Sequence, residues 1–516
     1  MNIRNKFSNT LKFLLLVFTF LCLFIYVDRY VKDTPLNSDS LENLHLAYSI
    51  AHFETMGITG DAEPHRVTPQ NHREPFPNWL SAQWIKANPI LFNASNLHQS
   101  QSPEQLIALK KINTWIVIAA LLGVFVLARD LFSKHCSANW RFVLAYVTVL
   151  LSYACMHIIH VDYFITEIHG ALIIVWFTWA WLKLFKTHRW QYAVLSGLLL
   201  GLLILTKAAF LYISLVVMVV TLSVLLFQAR PKQLVINHVL LVVVAAILVL
   251  PWMYRNDVHL GQFEIAGRGS VVLMTRAFKS QMTDEEFKGA FYAYAPASLK
   301  KTMRTITGFT GKDRELGGRL QRFYRAYAQD EACRDLLKEN CAIAYYYQAS
   351  IRYRTIIRNY QQLYPNDSNK ARILGEKAAK TYALNMIKNN LIGHLKTSLV
   401  FAWRGAWPCN TVDGRWYKSY RKFVQPMWQE LTPFLGLIAM IGLAFVGFSK
   451  KHSEMIPIAW LGSATFLFYA LATHFIPRYS EMMIPIWIVC LMYVFVMLVQ
   501  QPIEFINKFK KNHEIN

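Results

Sequence analysis

The residues best suited to chemistry are a few charged side chains set beside apolar runs. Asp39 lies in the polar stretch Asn37–Trp79, which follows the first membrane-length apolar run. A carboxylate there can accept a proton from a bound hydroxyl. It can equally cap the helix that the spacing of Leu41, Leu44, Tyr48 and Ala51 predicts, with Glu42 three residues on. Glu167 opens a later apolar run, and Asp162 stands five residues before it. Either carboxylate can orient a hydroxyl, and Glu167 can instead simply complement a helix dipole. Lys207 separates two apolar runs. A charge near membrane depth is costly and functional by default, with an interfacial snorkelling lysine as the rival reading. Arg255 follows one apolar run and Arg478 precedes another. Their guanidinium forks suit phosphate oxygens, and a plain flanking charge is the alternative. Arg73 either joins such a cationic set or holds its loop against Glu74.

The histidines raise the question of a metal. His45 and His52 are seven apart on one helix face, and His157, His160, Asp162 and His169 gather near the ends of two apolar runs. Imidazole and carboxylate suit a divalent ion. Lone histidines on half-buried helices are more often structural, so no metal ligand set is assigned and a divalent cation stays an open question.

These residues need a scaffold, and composition says which kind. Of 516 residues 54% are hydrophobic, and many runs approach the ~20 residues that cross a ~30 Å hydrocarbon core. The runs are continuously apolar rather than alternating, so the expected fold is an all-α polytopic membrane protein of about ten or more transmembrane helices. The runs are Phe13 to Val27 and, roughly, 112–128, 140–158, 165–182, 192–206, 208–227, 234–252, 432–448, 455–473 and 481–499. Residues 192–227 are too long for one span at ~1.5 Å per residue, which predicts a hairpin at Thr206-Lys207.

Alternation then puts Arg129, Lys134, Lys183, Lys186, Arg189, Arg230, Lys232, Lys450, Lys451, Lys508, Lys510 and Lys511 on one side, as the positive-inside rule asks. Both termini fall in the cytoplasm, and the segments 28–111 and 253–431 fall outside. This divides the chain into an N-terminal transmembrane module (1–252), an external segment (253–431) and C-terminal helices with a tail (432–516). Within the external segment, Ala383–Trp407 reads as one amphipathic helix lying on the membrane surface. The net charge of +23 follows from basic loops rather than from a nucleic-acid footprint. None of the seven cysteines forms a CxxC, which argues against structural zinc. Cys333 and Cys341 are close enough to pair in an oxidising compartment or to remain two free thiols.

Taken in order, these features resemble the GT-C superfamily of membrane glycosyltransferases. The similar branch holds the bacterial protein-mannosyltransferase-like enzymes and the aminoarabinose transferase of lipid A (glycosyltransferase family 39/83 type). Asp39, Tyr48, Ala51 and Gly57, then Arg73-Glu74-Pro75-Phe76-Pro77, match its first external loop. Thr166-Glu167, the run Gly197–Lys207, Pro251-Trp252 with Arg255-Asn256, and Arg478-Tyr479 look like its later motifs. The match covers most of residues 10–280 and the last spans.

The resemblance implies an inverting transfer of a hexosyl or pentosyl sugar from a polyprenyl-phosphate carrier to an acceptor hydroxyl on a protein, lipid A or glycan. The setting it implies is the outer face of a bacterial inner membrane. Asp39 would be the base, with Glu167 beside it. Lys207, Arg255, Arg478 and Arg73 would hold the donor phosphate, and Asp162, Tyr48 and Tyr479 would be secondary. The expected partners are the lipid-linked donor, the acceptor and the bilayer, and no nucleic acid. A transporter or flippase of lipid-linked sugars is the rival; against it, no internal repeat is visible.

Overall fold

A computed structural model describes residues 3–59, 67–94, 96–156, 158–325, 327–338, 341–408 and 426–513. The described chain is almost entirely helical, and its only sheet is a two-stranded antiparallel hairpin, Gly57–Thr59 with Val67–Pro69. Among the described residues, eight helices are long and apolar enough to cross a membrane: Asn9–Asp28, Pro103–Lys134, Ala138–Cys155, Glu167–Thr187, Ala209–Phe227, Lys232–Leu260, Trp428–Val446 and Lys450–Ala472. Two shorter apolar helices, Trp190–Thr206 and Ile484–Gln500, complete the set. The expected all-α, multi-pass membrane architecture is therefore the observed one.

The hairpin expected at Lys207 is present. The Trp190–Thr206 helix stops there, Lys207 takes an extended backbone, and the next helix begins at Ala209. The glycines of the Gly197–Lys207 run have a packing role. A Cβ on Gly197 would lie 2.6 Å from the Leu241 carbonyl oxygen, and one on Gly201 would lie 2.9 Å from Leu248. Small residues let Trp190–Thr206 lie directly on Lys232–Leu260, where lipid tails offer no hydrophobic drive to bring helices together. Trp190–Thr206 also packs on Glu167–Thr187, which in turn packs on Pro103–Leu131. The ends of these helices that carry Glu167 and Lys207 are thereby held together.

Two sequence expectations are corrected. Asp39 does not cap a helix: the Ser38–Phe53 helix has Asn37 at its N-cap, and Asp39 sits inside the first turn. Its carboxylate is taken by arginine side chains, which outcompete backbone N–H groups for an ionised acceptor. Nor is Ala383–Trp407 one helix. Ser368–Lys388 ends and Leu391–Gly405 begins anew, with the Asn390 side chain accepting from the Gly393 N–H. An asparagine pair breaks the run because its side chains offer local backbone partners. Leu391–Gly405 is amphipathic in its own right. Leu391, Ile392, Leu395 and Leu399 are exposed, while Val400 and Phe401 are buried.

Beyond the turn at Gly261 that ends Lys232–Leu260, the helices Gly269–Lys279, Tyr345–Leu363 and Ser368–Lys388 share a small core of Met274, Ala277, Ala349, Ala379, Ala383 and Ile387. Cys333 and Cys341 are joined as a disulfide at a Cα–Cα distance of 5.8 Å. Cys409 lies outside the described residues.

Candidate active site

Asp39 is delivered by a turn in which Ser38 adopts a positive φ of 46°, a left-handed conformation that a serine takes at some cost. Arg73 enters from the loop just before the Pro75–Ala87 helix, whose start is set by proline at the first helical position. Its Nη2 donates to Asp39 Oδ1 and its Nε donates to Glu42 Oε2 at 2.7 Å. Arg478, some 440 residues later in sequence, donates from Nη2 to Asp39 Oδ2, and its Nε lies 3.2 Å from Glu167 Oε1. Lys207 Nζ donates to the same Glu167 oxygen at 3.1 Å. Arg478 thus bridges the two carboxylates, and Lys207 closes the far side.

Arg268 joins them, and the sequence reading did not single it out. Its Nη1 is 3.3 Å from Asp39 Oδ1 and 3.6 Å from Glu42 Oε2. It stands between Gly267 and Gly269, outside any apolar run or motif. Its partners lie more than two hundred positions away, so only the fold reveals them. The cluster holds the carboxylates Asp39, Glu42 and Glu167 against the cations Arg73, Arg268, Arg478 and Lys207, which leaves one positive charge in excess.

Burial pushes the Asp39 carboxyl toward its neutral form, but Arg73, Arg478 and Arg268 outweigh it and hold it well below the usual carboxylate range. The Glu167 charge, followed by that of Asp39, holds the Arg478 guanidinium above its ordinary value despite burial. Tyr479 packs beside Lys207, 5.6 Å from the ammonium to the ring centroid, and burial pushes its phenol up to about 12.

The other nominated residues lie elsewhere or do other work. Arg255 donates to the Gln70 and Met56 carbonyls and to Asn256 Oδ1, and stacks on Trp252 at 4.8 Å. Asn256 donates to the Glu264 carbonyl and Trp252 to that of Ile265. The Pro251–Asn256 motif therefore pins both the β-hairpin and the chain after the span. Asp162 pairs with fully buried Lys110 at 2.8 Å and accepts the Lys32 N–H. Lys110 also donates to the Lys32 and Thr34 carbonyls, so this pair fastens the start of the first loop. Tyr48 faces the Ala94 carbonyl and packs on His52, away from Asp39.

The histidines do not converge. His52 stacks on Phe92, His160 pairs with Glu481, and His169 is buried beside Asn43 and Asn78. His157 lies outside the described residues. Among those described, no three His, Cys, Asp or Glu side chains group as metal ligands.

No family model matches the sequence, and no curated protein does either. Among solved structures, the archaeal oligosaccharyltransferase AglB from Archaeoglobus fulgidus, in complex with an inhibitory peptide and a dolichol-phosphate, aligns at 12% identity and TM-score 0.45. The alignment covers 96% of this chain and 52% of that one. The apo form of the Archaeoglobus fulgidus oligosaccharyltransferase aligns at 13% identity and TM-score 0.45, covering 94% and 52%. ArnT from Cupriavidus metallidurans in the apo state aligns at 12% identity and TM-score 0.34, covering 90% and 77%. The chain spans about half the length of the oligosaccharyltransferases it resembles.

Proposed function

We propose that this protein is a membrane glycosyltransferase of GT-C type. In this reading it moves a sugar, with inversion, from a polyprenyl-phosphate carrier to an acceptor hydroxyl at the outer face of a bacterial inner membrane. One observation carries the reading. Asp39 and Glu167, 128 positions apart in the N-terminal half, are bridged by Arg478, which precedes the last span, within a set of four cations. Transfer from a lipid phosphate asks for a carboxylate to take the acceptor's proton and for fixed cations to stabilise the leaving phosphate. It also asks that both meet at the ends of the spans, because the donor's lipid tail stays in the bilayer. Glu167 opens one span, Lys207 ends another, and Arg478 precedes the last.

With its charge taken by arginines, Asp39 is a weak base in the free protein. A phosphate that draws Arg478 or Arg73 away would release it. The base then becomes effective only beside a bound donor, which suits an enzyme that must not lose its donor to water. Glu167 stays paired with Lys207 and fixes the position of Arg478.

The test is transfer by purified protein in lipid bilayers, supplied with polyprenyl-phosphate sugars and a panel of protein, lipid A and glycan acceptors. Asp39→Asn, which keeps the side-chain shape, should bind donor and transfer at least about a hundredfold more slowly, as loss of a general base does. Undiminished transfer by that variant removes Asp39 as base.

A further inference from the structure

Every cation in the Asp39 cluster has a carboxylate partner. A second set of cations close by has none. Lys279 ends the Gly269–Lys279 helix, is 8% exposed, and places Nζ 5.3 Å from the ring centroid of Phe401. One turn beyond Phe401, Arg404 lies over the Tyr294 ring at 4.6 Å. Arg325 lies over Tyr346 at 3.6 Å. His474 packs edge-on against Tyr479 at 5.9 Å, and its buried Nδ1 makes no hydrogen bond. Among the described residues, none of these four meets a carboxylate; each lies against an aromatic ring.

Arg276, on the same helix as Lys279, shows what a structural cation looks like here. It donates to the Ala470 and Thr473 carbonyls and to Ser398. Lys279 has no such set of acceptors. Burial first, then the charges of Arg404 and Arg325, press its ammonium well below its ordinary value, and burial with the charges of Lys279, Arg404, Arg325 and Arg478 does the same to His474. Like charges gathered under cover are costly unless something of opposite sign joins them.

The two sets of cations are tied together through the segment that carries His474, Arg478 and Tyr479. Gly405, next to Arg404, leaves room for the Phe475 ring, which a Cβ at that position would overlap. Ser480 Oγ donates to the Gly405 carbonyl at 2.6 Å. The Arg404 end of its helix is therefore fastened to the segment that carries His474, Arg478 and Tyr479, and Tyr479 reaches Lys207.

We propose that Lys279 and Arg404, with Arg325 at the rim and His474 behind, form an anion site for a phosphate-type group. A lipid-borne phosphate ester and free phosphate share this chemistry. Identifying the group as the phosphate of the sugar donor rests on the transferase reading, whereas the anion site itself does not.

The test uses the full chain in phosphatidylcholine nanodiscs, with three probes: a polyprenyl monophosphate, the matching polyprenol and inorganic phosphate. The polyprenyl monophosphate should bind more tightly than the polyprenol. Lys279→Met and Arg404→Met should each weaken its binding at least about tenfold, with polyprenol binding unchanged. Without ligand, Lys279→Met should melt at the wild-type temperature or above, because it removes a buried unpaired charge; a structural lysine would give a lower value. Displacement of the lipid by inorganic phosphate assigns recognition to the anion alone, and failure to displace assigns it to the lipid-borne ester. Wild-type affinity in both variants overturns the proposal, as does equal loss of polyprenol binding. If Lys279→Met loses the phosphorylated lipid while Asp39→Asn transfers normally, the anion site stands and Asp39 as base falls. Loss of transfer in Asp39→Asn, with wild-type binding in both methionine variants, keeps Asp39 as base and removes the anion site.

Discussion

Arg478 meets Asp39 through one nitrogen and Glu167 through another, a geometry only a guanidinium supplies. Arg478→Lys keeps the charge and loses one of the two contacts. A charge-assisted hydrogen bond is worth about 1.5–3 kcal/mol. Transfer by Arg478→Lys should therefore fall roughly ten- to a hundredfold in kcat/KM, with the melting temperature nearly unchanged.

Asp39 also makes a pH prediction. Its folded pKa lies below the unfolded value of about 3.9, so its contribution to stability is complete above that pH. The contribution is lost only as pH falls through the depressed folded value. For the same reason kcat/KM, which reports the free enzyme, should show no acidic inflection from Asp39 between about pH 5 and 8. An inflection in that window that disappears in Asp39→Asn would contradict the pairing with arginine. At this scale the residue types were legible in the sequence, because charges beside apolar runs stand out. The pairings were not. Arg268 carries no local signal, and Asp39 resembled a cap because nothing in its own neighbourhood announces Arg478.

At the scale of elements, the Gly197 motif and the Pro251–Asn256 motif have different jobs that one sequence pattern made look alike. Gly197 sits against the Leu241 backbone, so Gly197→Val forces the two helices apart and should cost about 1–3 kcal/mol in unfolding measurements in bilayers. Arg255 satisfies the Gln70 and Met56 carbonyls, which Arg255→Ala would leave without those donors. Amides around Met56 and Gln70 should then exchange hydrogen at least about tenfold faster, because local opening costs less. Unchanged protection there would show that the hairpin is held by other contacts. The span ends were legible because the apolar runs are continuous and bounded by charge. The break at Asn390 was not, since apolar spacing continues across it and only the capping hydrogen bond to Gly393 decides the matter.

At the scale of the whole molecule, the basic loops assigned to one side by alternation also meet in space. Lys134 pairs with Glu454 at 2.8 Å, Lys183 pairs with Asp130 at 2.8 Å, and Arg230 donates to the Lys450 carbonyl. The Asp39 cluster gathers at the opposite ends of the same helices: Glu167 and Thr187 bound one of them, and Arg189 and Lys207 flank the next. A charge bias of this kind orients a chain with its basic loops in the cytoplasm. The 29 Lys/Arg against 15 Asp/Glu of segment 253–431 do not oppose that, because long segments translocate regardless of charge. Exposed Ser133 and exposed Ser368 should therefore lie on opposite sides of the membrane. With Cys22, Cys136, Cys155, Cys409 and Cys490 replaced by serine, Ser368→Cys should react with an impermeant maleimide added to intact bacterial spheroplasts, and Ser133→Cys only after permeabilisation. The reverse pattern would put the Asp39 cluster in the cytoplasm and end the outward-facing reading. Labelling of both in intact spheroplasts would mean an even number of crossings between them, whereas five apolar helices, from Ala138–Cys155 to Lys232–Leu260, separate the two positions.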